Sequence, residues 1–441
     1  MLNPSTARIR LPAGVRDFLP PAAARRRALS ERLLAEFERW GFERIITPLF
    51  ECADVLERGL GADARAAAIR FVEPVTGEVV ALRPDITPQV ARLVATRMTG
   101  AGGPIRLCYE GAVARMATGA RAQREILQAG VELYDAPAPE GDAEVIGVAA
   151  AALATVQVPE ARLDIGHVAL VRHALESVTE EAQRAERAVA LRKKDRAGVA
   201  HAAAGLGRAL RGLIEALPTL YGEPAAVLAR ARELRLSGPL RVALAVVEEV
   251  LDATAASAEG ALGRGGVTLD LGEVRGFDYY TGIRLAGYVA GAGEAVLRGG
   301  RYDQLAARYG HAARAIGFSV DIEGMAEAQS AAGVPLPPRA DGVLVAAVRD
   351  RRREAGLVAA ALRAAGHRAA VDLGGPRARR VLVEYAVRSG FSCVLELSRQ
   401  GASWLFDGAA IDVPAVAVRR AISGDAAALE LPGREAAARR D

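Results

Sequence analysis

Arg275-Gly276-Phe277-Asp278-Tyr279-Tyr280-Thr281-Gly282 is the stretch on which the reading of this chain turns. Aromatic residues in a strand usually belong to a core, but a cation, a carboxylate and two phenols between glycines are too polar for that. An Arg beside Gly can fork onto a carboxylate, and a Tyr hydroxyl can both donate to and accept from a polar head. With it goes Arg298-Gly299-Gly300-Arg301-Tyr302-Asp303-Gln304-Leu305, a second polar run where a bland strand is expected.

Working outward, two earlier segments carry the same kind of signal. In Gln123 to Glu132, residues Gln128, Gly130 and Glu132 share one strand face by period two. Gln and Glu with Gly between them suit an open floor for a small polar ligand; a solvent-facing strand shows the same alternation. In Leu82-Arg83-Pro84-Asp85-Ile86-Thr87-Pro88-Gln89, Asp85 and Thr87 stand at the mouth of a helix just past a strand end. They suit an ammonium group, and they equally suit a plain N-cap.

The rest of the chain sets the frame. At 441 residues it holds two or three domains, since one core rarely grows past about 250–300 residues. Half the residues are hydrophobic and a quarter charged, an ordinary globular balance. A net charge of +4 over this length gives little support to a nucleic-acid partner. Cys52, Cys108 and Cys393 are far apart, and the five histidines lack ligand spacing, so neither a disulfide framework nor a metal site is expected. No apolar run is long enough to span a membrane, and Met1 to Arg10 has no apolar signal core. The expectation is a cytoplasmic protein.

Leu29, Leu33, Leu34 and Phe37 predict a helix over 21–40, ended by Gly41 and followed by a strand from Phe42 to Ile46. Val79 to Leu82 reads as a strand, Thr87 to about Met98 as a helix, and Ile105 to Glu110 and Ile126 to Leu133 as strands. From about 177 to 263 Ala, Arg, Leu and Glu dominate at helical spacing, which predicts an all-helical insertion; Lys193-Lys194 there suits a solvated face better than a nucleic-acid one. Strand character resumes at 267–271 and 281–288 and runs on to Val320, which carries the first domain to residue 330. The proline-bearing stretch 331–340 reads as a linker. Beyond it, 341–420 alternates strand and helix, predicting a small α/β domain with parallel pairing, and 421–441 as a tail whose end, from Arg434, is frayed.

No phosphate-binding Gly-rich loop, zinc-protease helix or nucleophile elbow is present. The segments quoted above, together with Leu11-Pro12-Ala13-Gly14-Val15-Arg16-Asp17-Phe18-Leu19-Pro20, resemble the histidyl-tRNA synthetase family over about residues 9–330. The C-terminal domain is similar, more loosely, to that family's anticodon-binding domain. The resemblance implies an α+β protein: a class II synthetase-like antiparallel sheet core with helices, a helical insertion and a small α/β domain. It also implies a histidine pocket. Asp85, where the family has Glu, and Thr87 would hold the α-amino group, with Gln128 near the amino-acid backbone. Glu132 and Tyr280 would meet the imidazole, Arg275 the α-carboxylate, and Tyr302 would close the pocket, which also takes in Arg115 and Tyr279.

The departures bear on activity. In the synthetases an Arg grips the ATP α-phosphate and a Glu two residues on reads adenine; here Arg115 is followed by Met116-Ala117, and 118–122 lacks the family's usual loop pattern. In register, Gly324 replaces the Arg that clamps the phosphates, a loss on the order of several kcal/mol in the transition state. Adenylation is expected to be lost. The string Leu82 to Arg92 resembles instead the regulatory subunits of ATP phosphoribosyltransferase. That resemblance implies no catalysis and no cofactor on this chain. It implies a short-form catalytic subunit as partner, L-histidine as effector, a homodimer within a hetero-oligomer, and a place in the first step of histidine biosynthesis. The alternatives are a divergent histidyl-tRNA synthetase, which needs another cation in place of Gly324, and a tRNA-binding or sensor paralogue.

Overall fold

Helix α1 (Pro20–Arg39) begins on two prolines, whose missing N–H groups cost nothing in a first turn, and buries Leu29, Leu33, Leu34 and Phe37 on one face. Its end is set by Gly41 at φ +81°. The Gly41 N–H donates to Glu38 O at 3.0 Å and the Phe42 N–H to Phe37 O at 3.1 Å, the paired bonds of a glycine-terminated helix. The structure is a computed structural model and describes residues 11–100, 102–116, 123–178, 180–263, 265–276, 279–337, 341–375, 377–406, 409–429 and 431. The chain divides into two compact units, Met1–Leu336 and Pro337–Asp441.

In the first unit the chain continues through β1 (Glu43–Ile45), β2 (Phe50–Cys52), α2 (Ala53–Gly59), α3 (Ala62–Ala67), β3 (Ile69–Val72), β4 (Val79–Leu82) and α4 (Thr87–Arg97). Two ten-residue strands follow, β5 (Ile105–Ala114) and β6 (Glu125–Tyr134), then α5 (Glu140–Ala154), β7 (Arg162–His167) and α6 (Val168–Glu176). The helical stretch comprises α7 (Glu181–Arg192), α8 (Arg196–Ala202), α9 (Arg208–Ala216), the two-residue strand β8 (Tyr221–Gly222), α10 (Pro224–Arg232) and α11 (Gly238–Leu262). The unit closes with β9 (Val267–Asp270), β10 (Ile283–Tyr288), β11 (Leu297–Arg301), β12 (Ala315–Asp321) and α12 (Ile322–Ala331).

Among the described residues one nine-stranded sheet organises this unit, in the order β1-β5-β6-β12-β11-β10-β7-β9-β8; β2, β4 and β3 form a separate three-stranded sheet. Pairing in the large sheet is antiparallel except for β1 with β5 and β7 with β9. The expectation of an all-helical stretch is corrected at β8. Tyr221 pairs with Asp270 and Gly222 with Leu269, so the stretch touches the sheet edge in the middle of its run. The main core lies between the sheet and α1, α5 and α11, where Val145, Ile146 and Val148 of α5 meet Leu133, Leu285 and Phe318.

In the second unit, β13 (Gly342–Ala347), α13 (Arg352–Ala364), β14 (Arg368–Val371), α14 (Arg379–Arg388), β15 (Cys393–Leu397), β16 (Ala402–Phe406), β17 (Ala409–Val413) and α15 (Ala415–Ile422) build a five-stranded sheet, β14-β13-β15-β16-β17. The expected parallel pairing holds for β14, β13 and β15 only. β16 and β17 are antiparallel. The Ser398 N–H donates to Gly401 O at 2.9 Å, and so tight a turn returns the chain as a hairpin, because a parallel crossover needs a dozen residues or more. The end of the tail, 434–441, lies outside the described residues.

Candidate functional site

The long hairpin of β5 and β6 and the neighbouring β12 bring their polar residues to one face. Glu132 stands opposite Leu107 and Gly317, Gly130 opposite Tyr109 and Ser319, and Gln128 opposite Gly111 and Asp321. Arg298 of β11 stands opposite Ser319. The glycines make room for large neighbours: a Cβ at Gly130 would lie 2.5 Å from the Tyr109 hydroxyl, and one at Gly317 would lie 2.0 Å from Glu132 Oε2. The open floor expected at Gly130 is therefore filled by Tyr109. A ligand does not lie there.

Above this face lies a cavity of about 580 Å³, walled by Asp85, Thr87, Arg115, Gln128, Tyr279, Tyr280, Tyr302, Arg298, Ser319 and Asp321, with the turn from Gly59 to Ala67 on one side. Volumes of this order suit a small molecule. Seven of the nine residues singled out from the sequence line it, and the other two do not. Glu132 lies behind the wall, fully buried. Arg275 is at the edge: Gly276 contributes to the wall, but the Arg275 side chain is largely exposed and its Nη1 donates to Glu273 Oε2 at 3.3 Å.

Each polar group has a distinct state. Asp85 Oδ1 accepts the N–H groups of Ile86 at 2.7 Å and Thr87 at 3.3 Å, so it secures the first turn of α4 while facing the cavity. The Thr87 hydroxyl donates to Glu132 Oε1 at 2.7 Å, and the Tyr109 hydroxyl reaches the same oxygen at 3.3 Å. Burial pushes the Glu132 carboxyl well above its ordinary 4.5, with Asp85 adding repulsion, against the lowering by its two hydroxyl partners. Burial also raises Tyr279, and lifts Tyr280 to about 12, so both phenols remain donors at neutral pH. Their rings pack edge to face with centroids 5.3 Å apart, and Tyr279 leans on Tyr302 at 5.7 Å. Gln128 Oε1, Glu132 Oε2 and the Tyr302 hydroxyl are buried with no partner among the described residues. Buried polar atoms are rarely left so, and two of these, on Gln128 and Tyr302, belong to the cavity wall and mark a place where a polar ligand would satisfy them, while Glu132 stays behind it.

The other end of the cavity is electrostatically mixed. Arg115 Nε donates to Pro84 O at 2.7 Å, and Arg298 is held by Glu294 at 2.9 Å. Asp321 and Glu294 also line this end. Asp321 caps α12, accepting the Gly324 N–H at 3.0 Å. Gly324 is off the wall and brings no cation to it, and a Cβ there would come 3.1 Å from Val296 Cγ1. Ala117 and the loop 118–122 lie outside the described residues. Sequence reasoning gave no role to Tyr109, Asp321 and Arg298. Tyr109 and Asp321 become visible only through strand register; Arg298 sits in the quoted R-G-G-R run, whose period-two signal was available. Among the described residues no three His, Cys, Asp or Glu are grouped to hold a metal ion, and no helix is long and apolar enough to cross a membrane.

The histidyl-tRNA synthetase family model matches residues 14–325. A histidyl-tRNA synthetase from Nostoc superposes with a TM-score of 0.75 at 19% identity, covering 93% of this chain and 98% of its own, which speaks to the fold alone. Fold and family model thus define a protein of the histidyl-tRNA synthetase class. Within it, the ATP phosphoribosyltransferase regulatory subunit of Geobacter sulfurreducens is 40% identical over 367 residues, 82% of this chain and 83% of that protein. The same-named protein of Anaeromyxobacter sp. strain K is 45% identical over 324 residues, 71% and 89% respectively. A Bacillus halodurans structure described as an ATP phosphoribosyltransferase regulatory subunit/histidyl-tRNA synthetase has a TM-score of 0.75 at 28% identity, covering 90% of this chain and all of its own. The chain belongs to the family of ATP phosphoribosyltransferase regulatory subunits.

Proposed function

We propose that this chain acts without catalysis of its own, as the regulatory subunit of an ATP phosphoribosyltransferase, and that its cavity takes up L-histidine. A short-form catalytic subunit would carry the transfer of the phosphoribosyl group to ATP, the first step of histidine biosynthesis, and the end product would report on flux through this chain. A homodimer within a hetero-oligomer is the assembly that goes with this reading.

One observation carries the ligand assignment. Among the described residues, Gln128 Oε1 and the Tyr302 hydroxyl are buried without partners on the wall of a single cavity that also holds Asp85 and the Tyr280 phenol. Carboxylate and amide oxygens need donors, and an ammonium with an imidazole N–H supplies them. The mixed charge of the far end, two arginines against Asp321 and Glu294, is poorly suited to a triphosphate. Histidine binding should be seen by calorimetric titration into the chain, and Tyr280→Phe together with Gln128→Leu should weaken it more than tenfold. Histidine-dependent exchange of pyrophosphate into ATP by the isolated chain would overturn the non-catalytic part. Absence of histidine binding, alone and with the catalytic subunit, would overturn the ligand.

A further inference from the structure

Glu273 makes contacts that the histidine reading leaves unexplained. It sits two residues before Arg275, and its carboxylate is mostly buried. Oε1 accepts the Arg275 N–H at 2.9 Å, and Oε2 meets Arg275 Nη1 at 3.3 Å. The same Oε2 lies 3.8 Å from Nη2 of Arg284, a buried cation on β10 whose other carboxylate, Asp164, is also 3.8 Å away. Burial and the nearby Asp270 push Asp164 up to about 7, so Glu273 is the better ionised partner of Arg284. Burial alone would raise Glu273, yet Arg284, the Arg275 N–H and the Arg275 guanidinium hold it below the usual range. Glu273 is thus served by two cations, and Arg275 is the exposed, replaceable one.

The backbone around them is fixed. Asp270 is gripped by Lys194 Nζ at 2.7 and 2.8 Å and accepts the Gly272 N–H at 2.9 Å, while the Leu271 N–H donates to Leu220 O at 3.0 Å. The following Gly276 already forms part of the cavity wall. The Arg275 side chain therefore springs from the residue next to the cavity wall, and it is largely exposed.

We propose that Glu273 is an internal carboxylate that occupies Arg275 in the free protein and is exchanged for the carboxylate of the incoming ligand. Glu273 then sets how tightly the site takes a carboxylate ligand. It holds Arg275 until a ligand carboxylate outcompetes it, and affinity for ligands lacking that group does not depend on it. Releasing Arg275 costs little, because Arg284 still neutralises Glu273 and the Arg275 end of the pair is exposed to water. The inference rests on histidine occupying this cavity.

The test is calorimetric titration of L-histidine and of histamine, which lacks the carboxylate, into the full chain and into Glu273→Gln and Arg275→Met. Histidine should bind Glu273→Gln about two- to fivefold more tightly than it binds the unaltered chain, the latch energy expressed as affinity. Histamine affinity should not change. Arg275→Met should weaken histidine only, and the double variant should behave as Arg275→Met. Should Glu273→Gln fail to fold, Glu273→Asp keeps a charge beside Arg284 on a shorter arm, and the same selective gain is expected. Equal shifts for both ligands, or no gain for histidine, would overturn the latch while leaving histidine binding standing. An unaltered chain that binds no histidine would overturn both.

Discussion

The Thr87 hydroxyl donates to Glu132 Oε1 across 2.7 Å, tying the first turn of α4 to the middle of β6. The tie leaves Glu132 fully buried and, among the described residues, with no cation in contact and Oε2 unpartnered. A carboxyl in such a place is costly to ionise.

Glu132→Gln should therefore stabilise the protein while removing its proton linkage. The folded-state value is raised above the ordinary 4.5, so the stability associated with Glu132 is complete below about pH 4.5 and is lost as pH rises toward the folded value. At pH 8 the variant should melt about 1–2 °C higher than the unaltered chain, a gain of about 1 kcal/mol, and the two should converge at pH 4.5. Under the proposed reading it should also lose histidine binding.

His167 works in the opposite direction. Burial and Arg172 push its imidazole down to about 4, so its contribution is present above about pH 6.5 and is lost as pH falls toward 4. Its Nδ1 caps α6 by accepting the Ala169 N–H at 3.2 Å, a role Asn can keep. His167→Asn should lose about 2 kcal/mol less than the unaltered chain between pH 7 and 4.5, read from urea midpoints.

Arg301 and Asp142 form a buried pair at 2.8 Å beneath the Tyr302 turn. Burial outweighs the pull of Arg301 and lifts Asp142 to about 6. Arg301→Met should cost about 3 kcal/mol at pH 8, because Asp142 is left buried without its cation. The deficit should shrink at pH 5, where the carboxyl is neutralised by protonation; an equal deficit at both values would sink the account.

Lys194, between α7 and α8, donates from Nζ to Asp270 Oδ1 at 2.7 Å and Oδ2 at 2.8 Å. The pair is partly exposed, so Lys194→Met should cost only about 1 kcal/mol in urea unfolding. Hydrogen exchange should rise first at Gly272, whose N–H depends on the same carboxylate.

Much of the first unit is legible along the chain because its signals are local. α1 follows from Leu29 to Phe37 on one face and a glycine stop, and β4 and α4 from the Val79–Leu82 run and Pro88. β16 and β17 were missed because their pairing depends on a tight turn at Ser398–Gly401 rather than on strand periodicity. β8 was missed because two residues leave no period to read. At the site, residue types were legible and their depth was not: Glu132 and Gln128 share a strand face, yet one is sealed behind Thr87 and the other lines the cavity.

The sequence by itself determined the inventory: which polar groups the site holds, the Arg that remains at 115 and the Gly that stands at 324. These are chemical identities, and no packing alters them. Only the tertiary structure decided what each group faces. Register set Tyr109 into the space above Gly130, burial left Glu132 without a cation, and the neighbourhood of Arg284 gave Arg275 a partner outside the cavity. Charge state and reach depend on desolvation and on neighbours remote in the chain, so they become readable only once the strands are paired.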